Sequence, residues 1–255
     1  MPWESTSSAS FRARHDSRDA EDARRVLQSL EHVRVQLEEL FGRVPPRITV
    51  VLHDRPWALA LSNPFVGALR LATAPSGRPL VAGWTSREEL HLLSPATFTG
   101  RSAPATPGLR EMGRLTAAAL YARRVIVEAS PGLRHGIGAL PVARAIRELR
   151  WAWLLEGGSR WLSGQSAHAG AAVAARLRDG GRPSFPPGLR DAPLLGPTLI
   201  ELLADAEGEQ AVVGLCERLG RGGPREVLER AFGARLVSIE GEWRAYLAEL
   251  AGRNR

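Results

Sequence analysis

The 255-residue sequence contains no lysine, so all 34 of its basic residues are arginine, set against 27 acidic residues for a formal net charge of +7. That one-sided usage points to a bacterial-type, high-arginine composition rather than to basic residues gathered for a partner. The arginines are spread along the chain and interleaved with acids, as in Arg24-Arg25 followed by Glu31, Glu38 and Glu39. Nucleic-acid binding favours cations clustered on one face beside aromatic platforms, so a nucleic-acid partner is not expected. A single cysteine, Cys216, excludes an intramolecular disulfide and a thiolate metal cluster. Its apolar surroundings, Ala211–Leu219, predict a small buried hydrophobe. No run of eighteen apolar residues exists; the best candidate, Leu115–Val127, is cut by Arg123 and Arg124. A membrane span is therefore not expected, and no membrane is expected among the partners. The opening Met-Pro-Trp-Glu-Ser-Thr has no basic start and no following apolar run, so a cytoplasmic location is the expectation.

At 44% hydrophobic, the chain has material for one large domain or tightly packed subdomains. Ser10–His15 alternates as a half-buried strand does. Asp16 and Ser17 offer caps for a helix reaching about Phe41, its apolar positions Ala23, Val26, Leu27, Leu30, Val33, Leu37 and Leu40 spaced for one face. Gly42 closes it and Pro45-Pro46 enforces an extended exit. Ile48–Leu52 reads as a buried strand, Trp57–Ser62 as helical, and Ala68–Ala72 and Glu89–Leu93 as further strands. After a loop at Gly100–Gly108 the period changes. Leu109–Glu128 and Leu140–Gly157 read as helices, as do Ala167–Leu177, Leu199–Ala206, Glu209–Leu219, Arg225–Phe232 and Ile239–Leu250. Early strands and late helices predict an α+β fold: a small mixed N-terminal sheet with a long helix, then an all-helical C-terminal half. The expected divisions are 1–104, 105–180 and 181–255 within one compact unit.

Collinear segments carry a resemblance. Phe11 to His15 matches an F-x-x-x-H-like opening strand. Phe41-Gly42 closes the long helix, and Pro45 to Leu52 matches P-x-x-I-x-V-x-L. A glycine-led strand stands at Ala82-Gly83-Trp84, running on to Leu92-Leu93-Ser94-Pro95, and Trp153-Leu154-Leu155-Glu156-Gly157 matches W-L-x-E-G. Gly233, Ile239-Glu240 and Trp243–Leu247 complete the series. In this order the chain resembles the peptidase MA-like branch of the gluzincin zinc metallopeptidases over nearly its whole length. The resemblance implies that architecture, a cleft for an extended peptide, and Glu156 at the position of the family's third zinc ligand.

The family's His-Glu-x-x-His motif works because residues at i and i+4 share a helix face, letting two imidazoles grip one zinc while the glutamate acts as general base. The six histidines here stand at 15, 32, 53, 91, 135 and 168, and no two are four apart. The collinear segment is Leu109-Arg110-Glu111-Met112-Gly113-Arg114, which places Glu111 at the general-base position and Arg110 and Arg114 at the former metal positions. A decoy, Arg87-Glu88-Glu89-Leu90-His91, keeps one histidine but lies in strand-like sequence. Arginine offers only donors and cannot ligate zinc. Two arginines and two carboxylates balance in charge, so Arg110 and Arg114 are expected to pair with Glu111 and Glu156. The alternative for the arginines is a plain solvated helix face.

The expected function is a pseudopeptidase that binds a peptide or protein partner in its cleft without a cofactor. The alternatives are a working hydrolase, with zinc or with other chemistry, through Glu111 and Glu156, Ser159, Ser163 and His168 lying nearby in sequence, and a basic binder of acidic surfaces or nucleic acid.

Overall fold

A computed structural model describes residues 3–98, 106–133, 148–219 and 222–253. The sheet opens with β1 (Glu4–Ser7) and β2 (Phe11–His15), and the long helix α1 (Ala20–Phe41) leads into β3 (Ile48–His53). Two short helices, α2 (Pro56–Ser62) and α3 (Pro64–Ala72), precede β4 (Gly83–Thr85) and β5 (Glu89–Leu93). The sheet order is β1-β2-β3-β5-β4; its inner pairs β2–β3 and β3–β5 are parallel, and both outer pairs are antiparallel. All described elements beyond β5 are helical: α4 (Leu109–Arg114), α5 (Thr116–Ala129), α6 (Ala152–Leu162), α7 (Gly170–Arg178), α8 (Ala192–Glu207), α9 (Glu209–Glu217), α10 (Pro224–Phe232) and α11 (Leu236–Arg253), with short 3-10 turns between some of them. The architecture is α+β as the sequence predicts.

Local chemistry accounts for most of these elements. The alternation in β2 buries Phe11, Ala13 and His15 and leaves Arg12 and Arg14 outside. The α1 stripe from Ala23 to Leu37 is buried, and Gly42 ends the helix at φ 68°, its N–H donating to the Glu38 carbonyl. One sheet face, α1 and the inner face of α5 share a core that includes Val50, Leu90, Tyr121 and Val125. The helices share a second core around Trp151, Trp153 and Trp243, where the Trp243 indole donates to Thr198 Oγ1 at 2.9 Å. Cys216 lies buried in that core, and burial pushes its thiol up to about 12.

Three expectations need correction. Ala68–Ala72 is not a strand but the end of α3. The Asn63 side chain accepts from the Phe65 N–H and Pro64 occupies the first turn, a helix start that outweighs the β-like look of the apolar run. Leu109–Glu128 is not one helix: it breaks at Leu115 (φ −85°, ψ 2°) into α4 and α5. The run expected from Leu199 begins seven residues earlier, at Ala192, with a proline in its first turn and Pro197 inside it. The first part of the helix expected over 140–157, most of the 100–108 loop, the 104/105 division and His135 lie outside the described residues.

Candidate functional site

Helices α6 and α8 meet at glycine. A Cβ on Gly157 would lie 2.7 Å from the Gly196 carbonyl oxygen, and one on Gly196 would lie 2.4 Å from that of Trp153. Only hydrogen fits at either position, so the two backbones touch and α6 is fixed in place. Its next residue back, Glu156, then faces α5. The Arg123 guanidinium of α5 donates to Glu156 Oε1 at 2.7 Å and to Glu148 Oε2 at 3.0 Å. Arg160, one turn along α6, donates to Glu156 Oε2 at 2.7 Å and to the Leu80 carbonyl at 3.1 Å. Its other terminal nitrogen donates to Gln165, whose amide in turn donates to the Met112 carbonyl. Burial alone would push the Glu156 carboxyl up, but Arg160 and Arg123 together outweigh it and hold the group below its ordinary value. Glu156 is thus an ionised carboxylate clamped from both sides.

This cluster floors a cavity of about 180 Å³. Thr116, Ala119, Leu120 and Arg123 line it from α5, at the i, i+3, i+4, i+7 spacing of one helix face, and β4 borders it. Gly83 lets α5 lie against that strand, since a Cβ there would meet Leu120 Cδ1 and the His91 carbonyl, both at 2.6 Å. β4 is an edge strand. Its partner β5 takes bonds at Ala82, whose carbonyl accepts from the Leu93 N–H at 2.9 Å, and at Ser86, whose N–H donates to Glu89 at 2.8 Å. Antiparallel pairing alternates, so the backbone groups of Gly83 and Thr85 point to the open edge.

The site differs from its sequence-based outline. Arg110 and Arg114 share one face of α4 as their spacing requires, but that face is exposed. Glu111 is half-buried, and among the described residues neither arginine forms an ion pair with Glu111 or Glu156. The expected pairing is therefore corrected: Glu156 belongs to Arg123 and Arg160. The reason is the apolar side of α4. Leu109, Met112 and Gly113 turn inward, where Gly113 packs against the Phe98 ring, and this rotates 110 and 114 outward. Arg123 carried a readable signal, because a charge inside the run Thr116–Val127 needs a buried partner. Glu156 and Arg160, four apart on a helix, carried another.

Zinc, which the resemblance implies, does not fit these residues. The α5 positions facing Glu156 are Ala119, Leu120 and Arg123, none of which can ligate a metal, and both Glu156 oxygens are engaged by guanidinium groups. Among the described residues no three His, Cys, Asp or Glu side chains converge as a metal site. Comparison with protein families, curated proteins and solved structures finds no match.

The serines offer no nucleophile signature. Ser159 and Ser163 donate to the backbone carbonyls of Glu156 and Arg160 within their own helix. His91 lies on β5, where its Nε2 is 3.0 Å from Glu89 Oε2 and its Nδ1 3.1 Å from His53 Nε2, and the Trp84 ring stacks on it at 4.2 Å.

Proposed function

We propose that this chain is a metallopeptidase-like domain without a metal site, which binds an extended peptide or protein segment along β4 and does not cleave it. The observation that carries this reading is the open edge at Gly83 and Thr85 beside a cavity floored by the Arg123–Glu156–Arg160 cluster. An extended peptide adds to such an edge through main-chain hydrogen bonds, and neighbouring pockets read its side chains. Arg123 supports the inactivity: it fills the place beside Glu156 where hydrolytic chemistry would need a ligand or a base.

A randomised peptide library, displayed on phage and selected on the purified full chain, supplies ligands for the test. Thr85→Pro removes one outward N–H and leaves the bonds to β5 in place, as proline is tolerated on the free side of an edge strand. The variant should bind selected peptides about tenfold more weakly, the loss of about one good hydrogen bond. Unchanged affinity, or cleavage of the selected peptides that a chelator stops, would overturn the proposal.

A further inference from the structure

A second recess lies at the carboxyl ends of β2 and β3 and shares no lining residue with the β4 cavity. The two strands run parallel and end side by side, and the crevice beyond such ends is where open sheets of parallel strands hold ligands. The recess measures about 400 Å³, within the range of small-molecule sites, about 300–1,000 Å³.

Two tryptophans border it, and neither is buried: Trp3 is 52% exposed and Trp57, on α2, is 59% exposed. Large rings left in water around one recess mark a binding surface. Trp3 is nevertheless held in place. Its ring meets His53 edge-on, with centroids 6.4 Å apart, and the Arg14 guanidinium lies 5.5 Å from its centroid. Both indole N–H groups lack a hydrogen-bond partner among the described residues. His53 adds a buried polar group: it is 8% exposed, its Nε2 lies 3.1 Å from His91 Nδ1, and its own Nδ1 has no partner among the described residues.

The polar rim balances in charge. Asp16 and Asp54, the residues that follow β2 and β3, line the recess together with Arg18 and Arg55. Among the described residues every bond to Asp16 is made through Oδ1, and Asp54 meets Arg55 through Oδ2 at 3.4 Å, so each carboxylate keeps one oxygen free. Two carboxylates and two guanidinium groups sum to zero, which favours neither an anion nor a cation as occupant.

We propose that this recess binds a neutral carbohydrate, one or two pyranose rings of an oligosaccharide. A pyranose has an apolar C–H face that lies on an indole ring and a rim of hydroxyl groups. Each hydroxyl both donates and accepts, so it suits the free oxygens of Asp16 and Asp54, the indole N–H groups, and His53 Nδ1 in either tautomer. A nucleotide is a poor occupant, because the two carboxylates repel its phosphate. Trp3 and His53, whose rings stand at 82°, also give no parallel walls for a flat base. An extended peptide meets strand ends here rather than an open edge.

The test labels the full chain with 5-fluorotryptophan, which gives one fluorine resonance for each of its seven tryptophans. Trp3→Phe and Trp57→Phe assign the two of interest. Neutral di- and trisaccharides of glucose, N-acetylglucosamine, mannose, galactose and xylose are titrated singly to about 10 mM, beyond the Kd of a weak site. At least one should shift the Trp3 and Trp57 resonances saturably and leave those of the buried Trp151 and Trp243 unmoved. Trp57→Ala and Asp54→Asn, both at exposed positions, should each weaken that saccharide about tenfold or more with the thermal melt unchanged. Thr85→Pro should leave it unaffected, which separates this site from the β4 edge. No saturable shift with any saccharide, or affinity that survives both substitutions, would overturn the proposal. So would adenosine or adenosine monophosphate binding more tightly than every saccharide, in favour of a nucleobase site.

Discussion

Replacing Arg123 with methionine keeps most of the volume of the side chain and removes its charge. Its side chain is 17% exposed, and the guanidinium binds Glu156 and Glu148, whose side chains are 18% and 21% exposed. Breaking a buried pair from one side costs about 3–5 kcal/mol. Arg160 still holds Glu156 in the variant, so the lower end applies, about 3 kcal/mol. For a chain of this size that lowers the melting temperature by about 6 °C. Urea denaturation of Arg123→Met, Glu156→Gln and the double variant closes a thermodynamic cycle, with an expected coupling of about 2 kcal/mol. The acid limb supplies a second reading. A carboxylate held below its ordinary value stabilises the fold above the unfolded value, and this stabilisation is lost as pH falls through the folded one. Without Arg123 the Glu156 carboxyl rises towards its ordinary value, and acid unfolding moves to higher pH. A cost for Arg123→Met below about 0.5 kcal/mol, the size of an ordinary surface change, together with no coupling would refute the clamped-carboxylate reasoning.

Arg110→Ala/Arg114→Ala should stay within about 0.5 kcal/mol of the parent in the same urea titration, because both side chains are exposed and make no ion pair with Glu111 or Glu156. His53 predicts a pH slope. Burial, and then His91, hold it at about 4 against the usual 6.5. At pH 7 both folded and unfolded chains are neutral there; as pH falls through 6.5 only the unfolded chain takes the proton, until the folded group follows near 4. Between pH 7 and 5 the parent should therefore lose about 2 kcal/mol more stability than His53→Phe. Gly157→Ala should cost at least about 2 kcal/mol in thermal melts, since the added methyl meets backbone as well as side-chain atoms.

The sheet and α1 were legible because their signals are local. Alternation in β2, the stripe from Ala23 to Leu37 and Gly42 each say what the backbone does before any tertiary contact forms. β1 was not legible. Glu4–Ser7 is a polar edge strand with no apolar alternation, and it forms because β2 offers a free edge. The site was half legible. Glu156, its glycine and the tryptophans before it were readable as a packed helix, and the i, i+4 spacing of Arg110 and Arg114 does put them on one face. Which face turns inward depends on the apolar residues between them, and Leu109, Met112 and Gly113 decide it. Arg123 stood out as a charge inside an apolar helix, but its partner lies 33 residues on, and only the meeting of α6 with α8 at Gly157 and Gly196 aims Glu156 at it.

Amide hydrogen exchange on the chain saturated with a selected peptide tests the β4 reading most directly. Trp84 sits in a pair bonded to β5 and should exchange slowly with or without peptide, whereas Gly83 and Thr85 should exchange fast alone and become protected when the peptide binds. Protection confined to Gly83 and Thr85 within β4 is the predicted result. Full occupancy with no change at either amide would contradict it and place the peptide elsewhere.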